Sequence, residues 1–87
     1  MRFFAIVSTH LSHIGYDPDS QTMQVRFPSG GKWYEYEGVP PIAFVRVMCE
    51  PSHGKAFHTF VKKPGYAFRQ IDDPRPGAQS LAARTET

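Results

Sequence analysis

The chain has 87 residues, ten Lys/Arg against eight Asp/Glu, and twelve aromatics (seven Phe, four Tyr, one Trp), which bounds it to one small domain whose thin core the aromatics must thicken. A single cysteine, Cys49, excludes an intramolecular disulfide and suits a reducing interior. No apolar run approaches the roughly 18 residues of a membrane helix, and Met1 to Val7 lacks the hydrophobic segment and cleavage site of a signal peptide, so a cytoplasmic protein without membrane association is expected.

Residues 1–9, with Phe3-Phe4-Ala5-Ile6-Val7, read as a lead-in or an edge strand. A strand is predicted over Ile14 to Asp17, followed by the turn formers Asp17-Pro18-Asp19-Ser20. Met23, Val25 and Phe27 alternate with Gln24 and Arg26, the pattern of a half-buried antiparallel strand. Pro28-Ser29-Gly30-Gly31 offers glycines for positive φ at the next turn, and Lys32 to Glu37 is a third strand. Period two places Tyr34 and Tyr36 on one side of it, turned inward, and Trp33, Glu35 and Glu37 on the other, with Trp33 partly exposed. Consecutive strands with short connections predict an antiparallel meander.

Pro40 and Pro41 suit a helix start, where the missing N–H costs nothing. Ile42 to Cys49 is apolar except for Arg46; its β-branched residues also suit a strand, but the flanking prolines favour a short buried helix. Ser52 is a candidate N-cap for a second helix, with Ala56, Phe57, Phe60 and Val61 on its inner face and Lys55, His58, Thr59 and Lys62 mostly on the other. Pro64-Gly65 ends it, and Tyr66, Phe68 and Ile71 alternate as a final extended segment. The fold expected is α+β: an antiparallel meander of three or four strands with two short helices packed on it, spanning 10–71, then a mobile tail over 72–87. Its core should hold Ile14, Val25, Phe27, Tyr34, Tyr36, Phe44, Val45, Met48, Phe57, Phe60 and Val61. Arg46 either reaches solvent or pairs with an acid such as Asp17.

Charge is unevenly divided. Residues 1–50 hold four Lys/Arg against five Asp/Glu, whereas residues 51–71 hold Lys55, Lys62, Lys63 and Arg69 and no acid. Such a block marks either a solvated face or a surface for phosphates.

The runs His13-Ile14-Gly15-Tyr16-Asp17, Met23-Gln24-Val25-Arg26-Phe27 and Gly31-Lys32-Trp33-Tyr34-Glu35-Tyr36-Glu37-Gly38-Val39-Pro40 resemble the KTSC domain, whose best-known mark is the central Tyr-x-Tyr, here Tyr34 and Tyr36. Pro51-Ser52-His53-Gly54-Lys55-Ala56-Phe57, with Tyr66 and Arg69 beyond, is similar to the family's second half. The family takes its name from its place at the C-terminus of some lysyl-tRNA synthetases and also occurs as free-standing bacterial and phage proteins. The resemblance implies a small α+β fold and a role in RNA binding, and it carries over no catalytic residue.

Three classes of function compete. A non-enzymatic module for RNA or single-stranded nucleic acid would use Lys55, Lys62, Lys63 and Arg69 for charge and Trp33, Tyr66 or Tyr16 for stacking, with Arg26 and Lys32 extending the surface. The alternative is a small accessory protein that binds or inhibits a protein partner through exposed aromatics and a sheet edge, as a monomer or homodimer. An enzyme is set third: Cys49 with His53 or His58 would be nucleophile and base, but Cys49 lies in the most apolar segment and reads as an inert core thiol. His10 and His13 converge on a metal only within a helix, and His53 and His58, five apart, do not share a helix face. No cofactor or metal is therefore expected, and nucleic-acid binding is the leading expectation.

Overall fold

The computed structural model describes residues 1–8 and 10–75. Among these, strands β1 (Phe3–Ala5), β2 (His13–Asp17), β3 (Thr22–Arg26), β4 (Trp33–Tyr36) and β5 (Phe68–Ile71) form one antiparallel sheet in the order 1-2-3-4-5. The α+β class holds, with five strands rather than three or four. The short lead-in pairs Phe3 with Gly15, and the final segment pairs Phe68 with Tyr36, so both extra strands sit at the edges.

Between β4 and β5 the chain makes helices α1 (Pro41–Cys49) and α2 (His53–Phe57), the latter continuing into one π-helical turn, His58–Lys62. The turns follow their chemistry. Asp17 Oδ1 accepts the Asp19 N–H at 3.0 Å ahead of β3. Gly30 and Gly31, at φ of 81° and 64°, make the β3–β4 turn in a region that side chains with a Cβ rarely adopt. Pro40 precedes α1 with Pro41 in its first turn, and the chain leaves the helix at Glu50, extended ahead of Pro51. Ser52 Oγ accepts the Lys55 N–H at 3.3 Å, the expected N-cap of α2.

The helices cover one sheet face and close a core of Leu11, Ile14, Tyr16, Met23, Val25, Tyr36, Val39, Ala43, Val47, Ala56, Phe57 and Val61. Phe27, Tyr34, Phe44, Met48 and Phe60 pack partly buried against it. Val45 is a correction: it is 48% exposed, because only one face of α1 meets the sheet, and Ala43 and Val47 occupy it. The same geometry exposes Ile42 and Cys49, so the thiol is not a core group. Arg46 points outward to Glu50 at 3.8 Å, an exposed pair worth under about 1 kcal/mol, and does not reach Asp17. Tyr16, offered as a stacking surface, is buried instead. It stacks on Phe44 at 4.9 Å, and its hydroxyl donates to the Val39 carbonyl.

The opposite sheet face carries a second, smaller cluster around Trp33. Trp33 is 3% exposed, not partly exposed, because β1 and the chain after β5 both reach over it. Phe3 meets its ring edge-on at 5.4 Å and the Arg75 guanidinium lies 5.4 Å from its centroid. Phe3 in turn lies over Gly15, where a Cβ would stand 2.5 Å from the ring. The start of the expected mobile tail, up to Arg75, is thus packed; the rest of that segment, 76–87, lies outside the described residues.

Candidate functional site

Beside β5 the inner sheet face is open, and the exposed Phe68 side chain borders the buried Tyr36. Phe27, Tyr34, Tyr36, Phe57 and Phe68 form a closed ring of aromatic neighbours there, with centroids between 5.3 and 6.3 Å apart. Alternation places them: Tyr34 and Tyr36 share one face of β4, and the Tyr36–Phe68 register brings Phe68 beside both. Phe68, on the strand that forms this sheet edge among the described residues, is 63% exposed.

Over this ring lies a cleft of about 740 Å³, lined by Phe27, Tyr34, Tyr36, Tyr66 and Phe68 together with Lys32 and Lys62. Lys32 comes from the β3–β4 turn and Lys62 from the end of the π-helical turn. Lys62 Nζ stands 5.5 Å above the Phe27 ring. Burial pushes the Tyr36 hydroxyl above its usual range, with Tyr34 adding to the shift, so Tyr36 presents a neutral O–H group at neutral pH. A second cleft of about 530 Å³ shares Phe27 and Lys62 and adds His10, Lys55 and His58. Among the described residues no aspartate or glutamate lines either cleft.

Of the residues singled out by sequence, Lys55, Lys62 and Tyr66 come together here, with Lys32. Lys63 is exposed but lines neither cleft. Trp33 and Arg69 belong to the opposite sheet face, which corrects their assignment to the same surface. Arg69 sits opposite Glu35 in the β4–β5 register and donates to its Oε2 from Nε at 3.0 Å and Nη2 at 2.8 Å. Gln24 Nε2 donates to Oε1 at 2.7 Å, and the two donors hold the Glu35 carboxyl below its usual range. The guanidinium is thereby neutralised locally, and Glu35 is turned away from the clefts. Arg26 is committed elsewhere too, donating from Nη1 to Ser12 Oγ at 2.9 Å.

The four histidines are dispersed. His13 packs beside Trp33, His10 and His58 line the second cleft, and His53 Nδ1 donates to the Val47 carbonyl at 2.8 Å, tying α2 to α1. Among the described residues no group of three or more His, Cys, Asp or Glu is placed to hold a metal ion, and no helix is long and apolar enough to cross a membrane.

Sequence reasoning passed over Phe68, His10 and His58 as site residues. The alternation of Tyr66 and Phe68 was the available signal for the first, and the place of His58 on the helix face of Lys55 and Lys62 for the third; His10 carries none, since it reaches α2 only through the fold.

Three comparisons agree. The family model for the KTSC domain matches residues 7–66, so Arg69 and both edge strands fall outside the matched segment. An uncharacterized protein of Stutzerimonas stutzeri (strain A1501) is 36% identical over 72 residues, covering 83% of this chain and all of that one. The crystal structure of a KTSC domain protein from Yersinia pestis superposes with a TM-score of 0.71 at 33% identity, covering 80% of this chain and 96% of the other. With the family model matching well over half of the chain and a KTSC domain structure 33% identical over most of it, the chain belongs to the KTSC domain family.

Proposed function

We propose that this protein is a non-enzymatic binding module for RNA or other single-stranded nucleic acid, and that its contact surface is the aromatic cleft and its lysine rim. One observation carries the reading: five aromatic side chains and two lysines line one open cleft with no acid among them. Bases stack on aromatic rings at about 1–3 kcal/mol each, whatever the sequence, and ammonium groups on the rim meet the backbone. The surface differs from the one expected from sequence. It keeps Lys62 and Tyr66, adds Phe68, leaves Lys63, Arg69 and Trp33 aside, and has Lys55 on the neighbouring cleft. The family's occurrence beside a tRNA-charging enzyme points the same way by association. Fluorescence-anisotropy titration of tRNA, single-stranded RNA and duplex DNA, at low and physiological salt, tests it. Binding that prefers single strands and survives physiological salt supports the module; absence of binding at low salt removes it.

The accessory-protein reading keeps two structural footings, the β1 edge of the sheet and the outward side chains Ile42 and Val45 of α1, 60% and 48% exposed. Isolated exposed apolar side chains are ordinary on soluble proteins, so it ranks second.

A further inference from the structure

The second cleft differs in kind from the first. Lys55 and Lys62 bring two ammonium groups to it, and His10 and His58 bring two imidazoles, around a floor that includes Phe27 and Phe57. Lys55, His58 and Lys62 fall at intervals of three and four along α2 and its π-helical continuation, which aligns them on one face. His10 arrives from the other side of the fold. Its ring lies so close over Gly54 that a Cβ there would stand 2.5 Å from Nδ1, so the absent side chain is what lets this imidazole settle against the helix. Nitrogen donors from two chain segments thus surround one concave surface with no carboxylate among its lining residues. An anion with several acceptor oxygens suits such a set, and a neutral base does not need it.

We infer that the second cleft is a phosphate subsite, so that a bound strand crosses the Phe27–Lys62 pair with a base in the aromatic cleft and its neighbouring phosphate among Lys55, His58, Lys62 and His10. The inference rests on the nucleic-acid reading above and deepens it by fixing where the backbone lies. Lys62, shared by both clefts, serves the junction. Phosphate contacts at this point would set register without reading sequence.

The test is the affinity of a fluorescein-labelled single-stranded RNA octamer, measured across salt for the wild type, Lys55→Ala/His58→Ala, Phe68→Ala and the control Lys63→Ala. Lys55, His58 and Lys63 are all exposed, so these variants should keep the wild-type melting temperature. The double variant is expected to bind about tenfold more weakly at physiological salt, with its log–log salt slope flatter by about 0.7. Lys63→Ala should stay within about twofold, since it lines neither cleft. An unchanged double variant, or an equal loss in Lys63→Ala, overturns the subsite. If Phe68→Ala still weakens binding in that event, the binding module stands without it. If the wild type fails to bind, the module itself falls, and the subsite with it.

Discussion

Lys62 stands over the ring of Phe27, its Nζ 5.5 Å from the centroid, and this pair is the wall common to both clefts. The cation is held at the rim by a ring that also belongs to the floor. Lys62→Ala should therefore weaken single-stranded binding and flatten its salt slope by about 0.7, while costing the fold no more than about 1 kcal/mol for the exposed cation–π contact. Paired titration and thermal melts check both parts; a loss of binding that tracks a loss of folding would make Lys62 structural.

Trp33 and Tyr16 should behave as fold residues. Trp33→Ala is expected to cost about 3–5 kcal/mol as a buried aromatic truncation, and Tyr16→Phe about 1–3 kcal/mol, because the buried Val39 carbonyl loses its donor. Chemical denaturation reads both. Tyr16→Phe should leave RNA affinity within about twofold at temperatures where it is folded.

Gly15 is needed for a close approach and not for an unusual backbone angle. A Cβ there meets Phe3 at 2.5 Å and Met1 Sδ at 3.0 Å, so Gly15→Ala must push β1 off the Trp33 cluster. The expected cost is about 1–3 kcal/mol with a red shift of Trp33 emission, partly rescued by Phe3→Ala. An unshifted spectrum would show that β1 accommodates the methyl group.

The Trp33 cluster also gives a pH dependence of known sign. Burial holds the His13 imidazole below its usual range, the Arg75 and Arg26 charges add to this, and Asp73 opposes it. The unfolded chain therefore takes up this proton first. The stability contributed is full above a pH of about 6.5 and is lost as pH falls through the lower folded value. Asp17, Glu35 and Asp73 are held below the usual carboxylate range, so their contributions are lost only at more acid pH. His13→Gln should remove the part of the melting-temperature decline that begins near pH 6.5 and leave the acid limb. Trp33 emission, next to His13, should track the same window in the wild type.

The sequence made the strands legible wherever one face was buried. Met23, Val25 and Phe27 alternate against Gln24 and Arg26, and the glycines and prolines mark the turns. It was less informative where a side chain's surroundings come from distant segments. Trp33 looks exposed when only its own strand is read, because Phe3 and Arg75, which cover it, lie at opposite ends of the chain. Arg69 looks like a free cation until the β4–β5 register sets it opposite Glu35. Val45 and Cys49 lie within an apolar run whose helical period, and not its composition, decides which members face the sheet. Leu11 and Val39 are fully buried yet stand among polar or turn residues, where no periodicity marks them. The basic block was visible as composition. Its division into cleft lysines and an uninvolved Lys63 required the helix to be placed on the sheet.

The central claim is that the open aromatic cleft holds single-stranded nucleic acid. Phe68 is 63% exposed at the sheet edge, so its removal should leave the fold standing while taking a stacking surface from the cleft. The most direct measurement is the anisotropy titration of a single-stranded RNA octamer at physiological salt with wild type and Phe68→Ala. The wild type should bind, and the substitution should weaken binding by about 1–3 kcal/mol with little change in salt slope, the mark of lost stacking and retained phosphate contacts. Wild-type binding that Phe68→Ala leaves unchanged, or no wild-type binding at low salt, would contradict that claim.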